Sequence, residues 1–452
     1  MEVTAQSPSD HLLVRAFILV SIILLAGCAG ESSYVERTHL SGEFQQRSGQ
    51  VIRVDSAATN QLPPDVELAN GVTPDEAVAT ALWNNAAFQE NLSKLGLARG
   101  DLAQAGLLSN PSFSILFPLG PKQIEFAATF PLEAVWLRPR RMAIAKLDAE
   151  RIADGLIQNG LDLIRDVRIA LSDLELARDR LSMNVEAVAL QERIEKITRD
   201  RERAGESSAL ETAAAQVELA RAHDDTRRMG HDLIVARERL LFLLGWNGAN
   251  TQLNFDSNAV PSALSSPLAE LESRALAARP DLRACELAVE SAAKRAGLAK
   301  AEIFTLSGII DANGSGSQGF EIGPGAQLAI PVFNQNQAGR ARAKAELERA
   351  VWNCIGTQQR IRLEVREAYT RHQQAAEALD NWRNRLVPSL QELVRRSERA
   401  FALGDLSPLA LQDHARQLVS AKVREAELAA DLRRAWAELE RSVGTRLPTG
   451  DK

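Results

Sequence analysis

Two turns, each set inside a long helix-forming stretch, constrain what this chain can become. Residues 203–210 read RAGESSAL and residues 402–409 read ALGDLSPL. Gly205 and Gly404 are thus each followed by an acid, by serine at the third position and by leucine at the fifth. Forty residues further on stand two more glycines, Gly245 and Gly444, and upstream lie Phe130-Pro131 and Ile330-Pro331. Matching positions are 199 to 200 residues apart. A period that long marks two copies of a large module, not a solenoid.

The two copies are mostly helical. After Pro139 no proline occurs before the Gly205 turn, and about 65 helical residues would reach roughly 100 Å. Ile164, Val167, Leu171, Leu174, Leu181, Val185 and Val188 follow a 3/4 spacing, broken only at Arg178. That is the pattern of a coiled-coil seam. A second helix returns from the turn to Leu244, giving an antiparallel hairpin. A helix from about Asn336 to Leu403, the Gly404 turn and a return to Val443 make the second hairpin. Composition agrees: 452 residues would ordinarily give two or three globular domains, but only 5% are aromatic and Ala, Leu, Glu and Arg predominate. The net charge of -6, with arginines alternating with acids, reads as solvated helix faces and gives no support for nucleic-acid binding.

Each copy also begins with a helix and two short strand candidates. Thr73-Pro74-Asp75-Glu76 opens a helix to about Leu108, with threonine as N-cap and proline at the first helical position. Residues 275–282 align with residues 81–88. Strands are expected at 112–119 and 123–130, joined by Gly120-Pro121, and at 303–312 and 320–330, joined by a Gly/Ser-rich turn. Ile124, Phe126, Ala128 and Phe130 alternate with Gln123, Glu125, Ala127 and Thr129; Phe320, Ile322, Ala326, Leu328 and Ile330 stand opposite Glu321 and Gln327. A half-buried soluble hairpin and a membrane-barrel strand both fit this alternation.

The N-terminus reads as an export signal. Arg15 precedes an apolar run, 16–26, too short to span a bilayer. It ends in Leu25-Ala26-Gly27-Cys28, which resembles a bacterial lipobox; an ordinary cleaved signal with an incidental cysteine is the alternative. Cys285 and Cys354 have no paired spacing and read as unpaired packing residues. His223 and His231 are eight apart, too far to share a metal, and His372 and His414 stand alone; all four read as surface residues. No phosphate loop, nucleophile elbow or catalytic cluster is present, so no enzyme is expected.

Duplicated long helices with four strands of about ten residues resemble the TolC family of outer-membrane efflux proteins. The features that carry this are the paired Gly205 and Gly404 turns, Arg279-Pro280-Asp281-Leu282, and Ala329-Ile330-Pro331-Val332-Phe333 leading into Gly339-Arg340. Phe333-Asn334-Gln335-Asn336-Gln337, with the lipobox, looks most like the branch serving metal-cation and drug exporters of the resistance-nodulation-division type. The resemblance implies a mainly α protein with a small β part, in which three protomers of four strands close a twelve-stranded barrel continued by an α-helical tube. It implies an outer-membrane channel that conducts substrates from an inner-membrane pump and periplasmic adaptor, anchored by lipid on Cys28, with no other cofactor. The expected division is signal peptide 1–27, extended tether 28–71, first repeat 72–246, loop 247–266, second repeat 267–444 and tail 445–452. Gly205, Ser208, Leu210, Gly404, Ser407 and Leu409 would form the periplasmic tip that meets the adaptor. Asp413, nine residues after Gly404, would line the constriction; Ala410 replaces the family's other acid, and Asp405 is the substitute candidate. Glu125, Glu321 and Gln327 would face the barrel lumen, and Phe126 and Leu328 the lipid. The rivals are a periplasmic adaptor, normally built on one hairpin, and a structural coiled-coil lipoprotein without a pore.

Overall fold

A computed structural model of the chain describes residues 37–52, 62–63, 66, 72–117, 124–246, 264, 266–314 and 320–448. Cys28 and the expected signal peptide, the expected turn at Gly120-Pro121 and nearly all of residues 247–266 lie outside the described residues. The first half comprises α1 (Arg37–Ser48), α2 (Pro74–Asn84), α3 (Ala86–Gly106), β1 (Ser112–Leu116), β2 (Glu125–Pro131), α4 (Glu133–Arg203) and α5 (Ala209–Leu244). The second comprises α6 (Leu268–Ala278), α7 (Pro280–Ala301), β3 (Thr305–Gly314), β4 (Phe320–Ala329), α8 (Gln337–Asn381), a π-helical turn (Trp382–Leu386), α9 (Val387–Leu403) and α10 (Pro408–Val443).

The same local chemistry builds both halves. Thr73 accepts from Glu76 N–H at 3.3 Å while its own N–H donates to Glu76 Oε2 at 2.8 Å, so a capping box starts α2. Asn85 breaks α2 from α3, and Arg279 breaks α6 from α7 at the matching place. At each break the side chain reaches a carbonyl near the end of its own half's return helix: Asn85 to Leu243 O at 2.9 Å, Arg279 to Ser442 O at 3.4 Å. Those return helices end at Gly245 (φ +64) and Gly444 (φ +79), both left-handed. A Cβ on Gly245 would run into the backbone of Asn84 and Asn85. Glycine is required there twice over, by dihedral and by approach.

The long helices form a wall in the order α5, α4, α10, then α8 with α9. The strands form one antiparallel sheet in the order β1-β2-β3-β4. One core, from Leu40 and Phe44 through Leu82, Leu92, Leu156 and Val167 to Leu240 and Leu244, fills the first half; another, from Leu271 and Leu282 through Ile361 and Val365 to Trp436 and Val443, fills the second. Arginine–carboxylate pairs fasten α4 to α10 between the halves, among them Arg180–Glu427 at 2.6 Å and Arg433–Glu175 at 3.2 Å.

Several expectations need correction. The tether is not wholly extended: residues 37–48 form α1, because Leu40 and Phe44, one turn apart, both bury in the first core, where Gly160 leaves room for the Phe44 ring. Cys285 and Cys354 are joined by a disulfide between α7 and α8, with Cα atoms 5.2 Å apart. They sit 69 residues apart, and only folding the two helices together brings them near. His372 is buried (2% exposed) against Trp436, not on the surface. The seam of α4 holds from Ile164 to Leu174, but Val185 is exposed and Leu181 and Val188 only half-buried. Beside Val185 the contact with α10 is ionic, Lys422–Glu186 at 3.1 Å, and apolar packing resumes below it where Ile194 meets Leu411. The helix expected from Asn336 to Leu403 is interrupted by the π turn. Pro388 lacks the N–H that would close an α-turn, and Val387 N–H instead donates to Trp382 O, five residues back. Among the described residues β1 ends at Leu116 and β2 starts at Glu125, and β3 is shifted two residues along, starting at Thr305 and ending at Gly314, since Asn313 and Gly314 pair with Glu321 and Phe320.

Candidate functional site

Two regions carry the sequence's candidate residues: the sheet at one end and the two helical turns at the other.

Residues paired across an antiparallel sheet share a face, and the register puts most apolar side chains of this sheet on one side, with Leu116 and Ile309 the large exceptions on the other. One face carries Phe113 and Ile115 of β1, Phe126, Ala128 and Phe130 of β2, Leu306, Ile310 and Ala312 of β3, and Ile322, Ala326 and Leu328 of β4. Phe113 and Phe126 stack on it, with ring centroids 6.0 Å apart. The opposite face carries Ser112 and Ser114, Glu125 and Thr129, Ser307, Asp311 and Asn313, and Glu321 and Gln327. Glu125 pairs with Asn313 and Asn313 with Glu321, so the two glutamates lie in one row across the sheet, at the end away from the helices. No lysine or arginine occurs on any of the four strands. β1 and β4 are open edges, and Ile322 and Leu328 beside one of them are exposed. Its two outer strands leave backbone groups free to pair with further strands.

At the other end the two turns are superimposable in their bonding. Gly205 N–H donates to Glu202 O at 2.9 Å and Glu206 N–H to Arg201 O at 2.9 Å; Gly404 N–H donates to Phe401 O at 3.1 Å and Asp405 N–H to Ala400 O at 2.9 Å. Each is a Schellman turn around a left-handed glycine, at φ +79 and +89. The return helices are capped as the grammar implied: Ser208 accepts from Glu211 N–H at 3.2 Å and Ser407 from Ala410 N–H at 3.3 Å. Hydrogen bonds from the Ser207 hydroxyl and then the Ser208 N–H hold the Glu211 carboxyl below its usual range.

Leu210 and Leu409 are largely exposed, at 79% and 69%. Leu210, Ser407, Leu409 and Asp413 stand around one cleft of about 760 Å³ between the starts of α5 and α10. Ser208 and Asp405 lie at the turns, outside its lining. Asp413 accepts from Arg416 at 2.8 Å and from Gln417 at 2.7 Å, so its charge is partly answered on its own helix. Among the described residues no group of His, Cys, Asp or Glu could hold a metal ion.

Sequence reasoning missed the residue that ties the turns together. Arg201, at the end of α4, donates to Phe401 O at 2.7 Å, and its guanidinium lies 4.5 Å from the centroid of the Phe401 ring. Phe401 is buried with Ile194 and Leu411. The carbonyl Arg201 binds is the one that accepts Gly404 N–H, so a cation caps the C-terminus of α9. A signal was present: the residues matching Arg201 and Phe401 in the other copies are Ala400 and Glu202, a divergence inside otherwise matched turns.

The fold is a four-stranded antiparallel sheet continued by a wall of long helices. Residues 271–445 match the outer membrane efflux protein family. Among solved structures, the outer-membrane channel OprN aligns at 19% identity and TM-score 0.71, covering 87% of this chain and 98% of that one. CusC, whose structures concern folding and transmembrane channel formation, aligns at 19% and 0.69, covering 87% and 96%. The outer membrane protein VceC of Vibrio cholerae aligns at 15% and 0.69, covering 82% and 96%. No curated protein matches the chain as a relative. Residues 271–445 are thus similar to the outer membrane efflux protein family, and over most of its length the chain has the fold of these outer-membrane channels. The family match covers its second half, and the fold carries the first, whose strands and long helices repeat those of the second.

Proposed function

We propose that three copies of this chain form the exit channel of a tripartite efflux system, taking metal cations or drugs from an inner-membrane pump and a periplasmic adaptor to the exterior. The observation that carries this reading is the four-stranded sheet with one apolar face, one polar face and two open edges. Three such sheets joined edge to edge leave no unsatisfied strand in lipid. Phe126 and Leu328 then meet lipid, while Glu125, Glu321 and Gln327 line water. The chain divides at its duplication into repeats 72–246 and 267–444, and the two hairpins argue against an adaptor built on one. The protein is an outer-membrane lipoprotein, with Cys28 acylated and no other cofactor, and it carries out no chemistry on what it conducts.

The tip formed by Gly205, Ser208, Leu210, Gly404, Ser407 and Leu409 receives the adaptor, and the exposed Leu210 and Leu409 are its apolar contacts. Asp413, with Asp405 nearer the turn, lines the constriction, where threefold symmetry gathers three copies of each. Because Arg416 neutralises part of Asp413, removing the acid leaves arginines facing the passage. Purified trimers in planar bilayers test this: Asp413→Ala should turn the channel from cation- toward anion-preferring and relieve block by multivalent cations. Unchanged selectivity and block would remove Asp413 from the gate.

A further inference from the structure

A carboxylate is buried where α1 crosses α4. Leu40 and Phe44 of α1 seat that helix in the first core, and Asp154 of α4 beside them is only 6% exposed. Leu40 and Glu43 of α1, Glu150 and Asp154 of α4 and Arg283 of α7 close around one small cleft. An acid so placed is ordinarily held charged by a buried cation. Its ion-pair partner Arg283 stands 3.4 Å away, but with its side chain 61% exposed, so water screens much of that charge. The other nearby cation, Arg47 of α1, is engaged elsewhere: it pairs with Glu43 at 3.8 Å and donates to Ala278 O.

Burial pushes the Asp154 carboxyl up to about 7; Arg283 and Arg47 offset only part of this, and the like charges of Glu43 and Glu150 add to it. α1 meanwhile ties down more than itself. Arg47 O accepts Arg446 N–H at 3.0 Å, and the Arg446 side chain reaches Asp75 at 3.0 Å. A helix of twelve residues is marginal without its packing, so one charge beneath it weighs heavily on whether it stays seated.

We propose that α1 is a proton-controlled clasp on the helical wall: it stays seated while Asp154 is neutral, and once Asp154 is ionised the charge draws water and repels Glu43, so that α1 lifts and releases Arg446. The clasp needs neither a trimer nor a pore. Its pH window follows from the two states. With α1 lifted, Asp154 meets water and titrates near the ordinary value of about 4; with α1 seated it titrates at about 7. Below the lower value both states hold the proton, and seating is firmest. Between the two values only the seated state holds it, so each unit of rising pH weakens seating up to about tenfold. Above the upper value neither state holds it, and the dependence levels off.

The test is hydrogen exchange of the full chain in detergent, followed by mass spectrometry across about pH 5 to 8 and corrected for the intrinsic pH dependence of amide exchange. Amides of residues 37–48 should lose about tenfold or more of their protection between about pH 6 and 8, and the Arg446 amide with them, while the middle of α4 stays protected. Asp154→Asn, which keeps the side chain neutral at every pH, should hold α1 protected throughout. Glu43→Gln removes the facing charge from α1 and should leave α1 better protected than wild type at about pH 8. Wild-type protection of α1 that does not change with pH, or the same loss in Asp154→Asn as in wild type, would overturn the proposal. Should Asp154→Asn fail to fold, an unaltered loss in Glu43→Gln would overturn it equally.

Discussion

Removing the Arg201 guanidinium should loosen the tip of the proposed channel. Arg201 holds the second turn in two ways, through a 2.7 Å hydrogen bond to Phe401 O and through the ring face 4.5 Å away. A charge-assisted bond at this half-exposed site contributes about 1 kcal/mol after solvent screening, and the cation–π contact about 1 kcal/mol. Arg201→Ala should therefore cost about 2 kcal/mol per protomer, roughly a 30-fold shift in the balance between fastened and free tips. Arg201→Lys retains charge without the planar fork and should fall between. The assay is the resting open fraction of reconstituted channels without adaptor, with circular dichroism to confirm unchanged helix content. An Arg201→Ala channel as closed as wild type would refute the assignment.

Other perturbations follow from local geometry. Gly245→Ala should lower the thermal midpoint sharply, since φ +64 and the Asn84 backbone both resist a Cβ, whereas Gly205→Ala, with open space around it, should cost only about 1 to 2 kcal/mol of dihedral strain. The disulfide between Cys285 and Cys354 closes a loop spanning 69 residues, so Cys285→Ser should remove up to about 4 kcal/mol on the chain-entropy account, and reductant should lower the midpoint of wild type but not of the variant. Burial lowers the His372 pKa from 6.5, and both ring nitrogens are without partners. The unfolded chain therefore binds the proton more readily, so stability is full above pH 6.5 and falls as pH drops through 6.5 toward the depressed folded value. His372→Leu should flatten that acid limb in a pH series of thermal midpoints.

What was legible in the sequence was whatever local chemistry decides. The two glycine turns, their serine caps and the alternation of strand residues depend on neighbours a few positions away, and the structure realises each of them. The broken helices at Asn85 and Arg279 were harder, because the side chains that stabilise each break bind carbonyls more than 150 residues away. The disulfide, the buried His372 and the Arg201–Phe401 contact escaped for the same reason: each joins helices distant in sequence, and helical periodicity says which face is buried but not against what. The exposed Val185 shows the converse. Spacing alone promised a seam, but at that level the neighbouring contact is an ion pair, Glu186 with Lys422, and burial is not required.

The central claim, that the sheet is one third of a closed barrel above a helical tube, is tested most directly by electron cryomicroscopy of the detergent-extracted full chain. The account predicts threefold particles in which twelve strands, four from each chain, surround a water-filled lumen lined by Glu125 and Glu321 and continued by the long helices. Single chains, or a solid bundle with no lumen through the strands, would contradict it.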